Sequence, residues 1–373
     1  MIPAPAGRPP FRADHIGSLL RPKALREAFR KHAAGEMSDA DFRAAQDAAI
    51  RDVVRLQEEC GMQVVTDGEF RRISYWEKFV RLTAGLVIKD AVFTFHDEHG
   101  HESAFTAPYA EARVSRRAPI TADEIAFVSK LTSANPKVTM PSPSTMHFYR
   151  FTDWGDPRVY ADPEAFFVDL GKIYQQEIAE LSAAGCKYVQ LDEVAIAILC
   201  DPAAREKVKA AGGHPDRLVD LYVEAINQAV KNRPADVTVG VHVCRGNYKG
   251  MYLSEGGYDS VGERFFGRTN VNHFLLEFDT PRAGGFDPLE RLDWLRRHFF
   301  AQPRPIGTGA GRAAEALAGF ERQADHTPGG PPENLRWRHG GIGFVTLNLP
   351  GSNNGLAAEG LGEPELRGRE HFN

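Results

Sequence analysis

The sequence predicts an α/β protein of the (β/α)8 TIM-barrel class. Three observations carry the prediction. Strand-like and helix-like segments alternate along the chain, with loops between them. The strand-like segments are almost wholly apolar, as parallel strands covered on both faces are. Polar and charged residues gather at their C-terminal ends, on at least five segments. A barrel gathers such ends around one mouth, whereas an open sheet spreads them along an edge.

The elements follow in order. ADHIGSLLRP (13–22) reads as a short buried strand turning at Gly17–Ser18. Residues 38–61 read as a helix: Ser38 or Asp39 caps it, apolar residues recur at three and four, and Gly61 ends it. MQVVTDGEF (62–70) is a strand that turns polar at its end. PKVTMPSPSTMHFY (136–149) gives a strand and a Pro/Ser-rich loop. Residues 162–186 form a helix with Asp162 as cap and Pro163 at its first position. KYVQLDEVAI (187–196) is a strand, 215–232 a helix, VTVGVHVC (237–244) a strand and VNHFLLEFDTP (271–281) another. No GxGxxG or GxxxxGK[ST] follows the first strand, which argues against an open nucleotide-binding sheet. Residues 301–373 hold 14 Gly and 7 Pro, and this density leaves one short helical piece and no convincing strand. The expected organisation is a single barrel domain over 1–373, irregular or poorly ordered in its last units.

The formal charge of −5 argues against a general nucleic-acid or anionic-membrane surface. The N-terminus has no apolar leader core, and no run is long and apolar enough to span a membrane. A cytoplasmic protein is the expectation. Four cysteines in 373 residues do not make a disulfide scaffold, so a cysteine beside a histidine points to metal or catalysis.

The run VTVGVHVCRG ends in His242 and Cys244, which share a face at the end of a strand. Most such pairs are core residues; an imidazole and a thiolate side by side are also half of a tetrahedral zinc site. Glu277 closes the run HFLLE one βα repeat later, so adjacent strands bring His, Cys and a carboxylate to one level. Three such ligands with an open fourth position suit a catalytic zinc. VQLDE ends in Asp192 and Glu193, and TDGE carries Asp67 and Glu69. Carboxylates at a mouth bind an ammonium group or move a proton, or simply face solvent. HIGS (15–18) offers backbone N–H groups for a small anion.

With these residues in view, the chain resembles the cobalamin-independent methionine synthase family, in its compact single-barrel form. DHIGSLLRP, VVTDGEFRR, YVQLDEVAI, HVCRGNY and FLLEFDTPRAGGFDPL occur in the family's order, over roughly residues 11–290. The resemblance implies a (β/α)8 barrel with Zn2+ at its mouth, where a substrate thiol is bound as thiolate and methylated. It places the metal on His242, Cys244 and Glu277. It places the amino-acid carboxylate of homocysteine on Ile16, Gly17 and Ser18. Glu69 and Asp192 then serve as catalytic and ammonium-binding carboxylates, and PSPSTMHF with Phe148 lines the methyl-donor side. The implied reaction moves a methyl group from a methyl-folate-like donor to homocysteine, giving methionine; the partners are small molecules, and the oligomeric state is left open.

Two departures stand out. The family has a further zinc cysteine in a Cys-Gly-Phe stretch near the C-terminus, where this chain has Ile342 before Gly343–Phe344; His339 is the nearest substitute. PRPIGTGAGRAAEALAG (303–319) does not read as the family's apolar penultimate strand, and residues of about 300–340 look degenerate or frame-shifted. Other readings stay open. Coenzyme M transferases use the same barrel and His-x-Cys pair, and Arg71, Arg72 or Arg245 would suit a sulfonate. A barrel that binds a thiol without turnover, and a zinc-free decarboxylase-like barrel drawing on Arg12 and Arg21, are the remaining two.

Overall fold

The computed structural model describes residues 14–97, 99–246 and 251–277, and the strand segments 318–322, 335–339 and 342–346. The chain divides at Phe278/Asp279 into two compact units.

Among the described residues the first unit holds seven strands: β1 (Val64–Val65), β2 (Thr83–His96), β3 (Glu102–Arg116), β4 (Asn135–Pro141), β5 (Tyr188–Glu193), β6 (Thr238–Val243) and β7 (His273–Leu276). Five of them form a parallel sheet in the order β1-β4-β5-β6-β7, consistent with a curled α/β half-barrel. Eightfold closure is not seen among the described residues. The register aligns Pro141 with Asp192, Asp192 with His242, and His242 with Leu275. The polar C-terminal ends therefore lie side by side.

The helices form where their caps announce them. Ser38 Oγ accepts the Asp41 N–H at 3.1 Å and opens the helix Asp39–Glu59. Asp162 Oδ1 accepts the Ala165 N–H at 2.8 Å, with Pro163 at the first position of Pro163–Ala183. The third long helix is Pro215–Val230. Strand alternation then sorts the sheet. Val138, Met140, Val189, Leu191, Val239, Val241 and Val243 turn outward and bury against Phe166, Leu170, Tyr174, Tyr222 and Ile226 of the last two helices. Lys137, Thr139, Gln190, Asp192 and His242 take the inner face and are all buried.

Three expectations need correction. Residues 14–22 form no strand. Leu19 N–H bonds to the Gly68 carbonyl at 3.1 Å, and the Ile16 carbonyl is taken by the Gln190 side chain. Leu20 is 70% exposed, so the segment is a strap tied down by long-range bonds rather than a buried strand. Second, residues 83–116, unassigned by pattern, fold into the antiparallel hairpin β2–β3, whose alternation is interrupted between Ala84/Leu86 and Asp90/Thr94.

Third, the second unit contains strands where none was expected: β8 (Ala318–Arg322), β9 (Leu335–His339) and β10 (Ile342–Thr346), antiparallel in the order β10-β9-β8. Leu335–His339 and Ile342–Thr346 flank Gly340–Gly341, a sequence suited to a two-residue hairpin connection, and His339 pairs with Ile342. Most of the stretch read as degenerate lies outside the described residues, as do the side chains of His339 and Ile342. No helix among the described residues is long and apolar enough to cross a membrane.

Candidate active site

The C-terminal ends of β6 and β7 bring the expected metal triad together. His242 Nδ1 faces the Leu275 carbonyl at 3.0 Å. A carbonyl only accepts, so Nδ1 donates, and the neutral ring keeps its lone pair on Nε2. Burial holds the His242 pKa down, against the Leu275 carbonyl and Glu277, which raise it. Nε2 lies 3.7 Å from Glu277 Oε1. Cys244 Sγ accepts the Gly246 N–H at 3.3 Å, and Glu277 Oε2 accepts the Arg245 N–H at 3.2 Å. One nitrogen, one sulfur and one carboxylate oxygen lie within 4.8 Å of one another.

The donor set fits a borderline dication. The imidazole tautomer is fixed by its second nitrogen, and the carboxylate is 47% exposed, so one side of the triad is open. Burial, and then the charge of Glu277, pushes the Cys244 thiol well above its ordinary value. Without a cation this thiol is protonated; a metal is what would make it a ligand.

Beside the triad sit Glu69 and Asp192. Glu69 follows Gly68 into the left-handed region, with φ +59° after φ +67°. A non-glycine residue there costs about 1–3 kcal/mol, and such strain concentrates at functional positions. The Glu69 N–H donates to Asp67 Oδ1 at 2.8 Å, which holds the turn. Thr139 Oγ1 donates to Glu69 Oε1 at 2.6 Å. Arg72 in turn donates to Thr139 Oγ1 at 2.8 Å and to its carbonyl at 2.7 Å, and forks onto Glu124 at 2.6 and 3.2 Å. Lys78 closes the network on Glu124 at 2.9 Å. Burial alone would raise the Glu124 carboxyl, but Arg72 and Lys78 bring it down to about 2. Asp192 accepts from Gln190 Nε2 at 2.6 Å. Burial, followed by the Glu69 charge, lifts its carboxyl to about 8. Asp67 is lifted to about 7 by burial and then by Glu124.

The remaining candidates separate by face. Glu193 points away from Asp192 and is bound by Ser142 Oγ at 2.5 Å, Ser144 Oγ at 2.7 Å and the Ile196 N–H at 2.9 Å. Its role is to fasten the loop after β4 and the short helix Ala195–Ile198. The strap of Ile16, Gly17 and Ser18 crosses the inner face: Asp14 binds Lys137 at 2.7 Å and the Tyr188 hydroxyl at 2.6 Å. A Cβ at Gly17 would meet nothing within 4 Å, so the backbone there is open. Phe148 is fully buried and stacks on Phe93 at 4.9 Å, so its ring belongs to the core. Two of the three arginines considered for a sulfonate are committed: Arg71 to Asp47 at 2.6 Å and Arg72 to Glu124. Arg245 is buried over the Tyr258 ring at 4.8 Å.

Pattern reading missed Thr139, Gln190 and Lys137. Their signal was present: KVT and YVQLD carry a polar residue at alternate positions of otherwise apolar strands.

The family model "Cobalamin-independent synthase, Catalytic domain" matches residues 11–254. The chain belongs to the cobalamin-independent methionine synthase family. It is 38% identical over 286 residues to the uncharacterized Bacillus subtilis protein YxjH, covering 75% of this chain and 74% of that one. It is 30% identical over 278 residues to the methionine synthase of Pyrococcus horikoshii, covering 74% and 71%. A solved Listeria monocytogenes protein, named as a candidate vitamin-B12-independent methionine synthase, superposes with a TM-score of 0.57 at 28% identity, covering 74% and 76%. The chain is thus a methyltransferase-family enzyme on a mixed α/β fold with a parallel sheet.

Proposed function

We propose that the chain is a zinc-dependent methyltransferase. It transfers a methyl group from a methyl-folate-like donor to the thiol of homocysteine, giving methionine, on a barrel to which the parallel sheet belongs. The observation that carries this reading is the convergence of a His242 ring nitrogen, Cys244 Sγ and the Glu277 carboxylate within 4.8 Å, beside two buried carboxylates. His242, Cys244 and Glu277 would hold the ion, with the substrate thiol as fourth ligand where the family's last cysteine is replaced by Ile342. When bound, zinc supplies the charge that keeps the thiol ionised at neutral pH.

The chain's own residues do the rest. Glu69 and Asp192 receive the α-ammonium, whose charge offsets the burial and the Glu69 repulsion that together lift Asp192. Thr139 and Gln190 aim those two carboxylates. The open backbone at Ile16, Gly17 and Ser18 receives the α-carboxylate. Phe148 stands behind the loop on the donor side and shapes it from the core. An ammonium suits this carboxylate pair, whereas a sulfonate would repel it, and Arg72 is already paired with Glu124. Small-molecule partners and a cytoplasmic setting complete the reading.

The test is metal analysis of the purified full chain after gel filtration, with and without added zinc and homocysteine. About one tightly held zinc per chain is expected, absent from His242→Ala and Cys244→Ser and retained in Cys60→Ser, whose cysteine is exposed. No zinc under either condition overturns the proposal.

A further inference from the structure

We propose that the tip of the β2–β3 hairpin is a second, surface site for a transition-metal dication, held by His99 and His101. Residues 96–102 read His-Asp-Glu-His-Gly-His-Glu, so three of the chain's 13 histidines fall within seven positions. A tract of that composition at the end of a hairpin is a metal-binding signature only if the ring nitrogens are presented together.

The geometry presents them. Asp97 builds the turn: its Oδ1 accepts the N–H groups of His99 at 2.8 Å and His101 at 2.9 Å, and its own N–H bonds to the His101 carbonyl at 3.2 Å. Gly100, at φ +79°, lets the chain reverse. Asp97 Oδ2 lies 2.7 Å from His101 Nδ1. That bond is the main reason the Asp97 carboxyl falls to about 2, so Nδ1 carries the proton and Nε2 offers its lone pair outward. A carboxylate behind an imidazole in this way is the usual support of a metal-binding histidine. The His99 ring makes no hydrogen bond among the described residues. Its centre lies 6.1 Å from that of His101, with the planes at 72°. Two imidazoles that share one ion, each bonded at about 2.0–2.1 Å, have centres roughly 5–6.5 Å apart. A small ring rotation therefore brings both onto one ion. Both residues are exposed, so water completes the coordination sphere. Imidazole donors select zinc, nickel or copper over calcium and magnesium.

This site is independent of the proposed activity, and the experiment keeps it so. Zinc chloride and nickel chloride are titrated calorimetrically into the full chain carrying Cys244→Ser, which disables the buried triad. One ion per chain with micromolar affinity is expected. Binding is lost in the added double variant His99→Asn/His101→Asn and falls about 10–100-fold in Asp97→Asn. His99→Asn alone keeps every bond of the turn, so its weaker binding is not a folding defect. Copper(II) bound to the parent shows spin-resonance splitting from two nitrogens, and from one in His99→Asn. No binding event, or an event untouched by the double variant, overturns the site.

Discussion

Asp192 bears the electrostatic strain of the substrate-free site. Its carboxyl ionises near pH 4 in an unfolded chain and at about 8 in the folded one. Between those values the folded state binds the extra proton, so this group's contribution to stability is present below about pH 4 and is lost as pH rises toward 8. Asp192→Asn removes the titration and keeps the acceptor for Gln190. The expected result is a melting temperature at pH 8 a few degrees above that of the parent, at roughly 2–4 °C per kcal/mol relieved. The difference shrinks toward pH 5. A pH-independent difference, read by differential scanning fluorimetry, would show that burial and Glu69 do not raise the Asp192 carboxyl. The substitution also removes one of the two carboxylates proposed to bind the ammonium, so on that proposal affinity for homocysteine falls while the ligand-free protein gains stability. Opposite signs for stability and binding are what a pre-strained site predicts and a packing defect does not.

At the scale of elements, three separate pieces of chain set one carboxylate. The turn after β1 supplies Glu69, β4 supplies Thr139, and the helix Ala122–Val128 supplies Glu124 to anchor Arg72 between them. Thr139→Val keeps the shape and removes the hydroxyl. A hydrogen bond to a charged group is worth about 1.5–3 kcal/mol, so KM for the amino-acid thiol rises roughly 10-fold or more with kcat little changed. Thr139→Ser restores it. Arg72→Met differs in kind: it strands the buried Glu124 and costs about 3–5 kcal/mol of stability. Steady-state kinetics with a melting curve for each variant separates the two, and an equal KM for Thr139→Val and parent would sink the relay. The same contrast explains what was legible. Ser38, Asp162 and Pro163 act within a few residues of themselves, so their helices can be read locally. The convergence of His242, Cys244 and Glu277 is legible because a parallel register puts strand ends level. The strap 14–19 takes its path from Lys137, Tyr188 and Gln190, more than 100 residues away, and no local pattern encodes that. The β2–β3 hairpin hides its period behind two register shifts.

For the whole molecule, the question is whether the proposed metal would hold the fold or only serve the site. The apolar core of the first unit runs continuously from Phe79 through Met140, Leu170, Tyr174 and Ile226 to Phe265, all almost fully buried. Of the three proposed ligands only Cys244 packs against this core, and it does so from the edge as a partly buried residue. Small zinc domains unfold without metal because they have no such core. Here the ion adds stability only by mass action, about 2.7 kcal/mol at a free concentration 100 times its dissociation constant. Prolonged chelation followed by desalting is therefore expected to abolish methyl transfer and to lower the melting temperature by several degrees. The far-UV circular dichroism should stay unchanged, and zinc should restore activity. Leu170→Ala, which empties a fully buried position on Pro163–Ala183, should cost about 2–5 kcal/mol with zinc present, as much as or more than losing the ion. If chelation instead collapses the helical signal, the three ligands are a structural clasp. The open side of the triad would then be no entrance for a thiol.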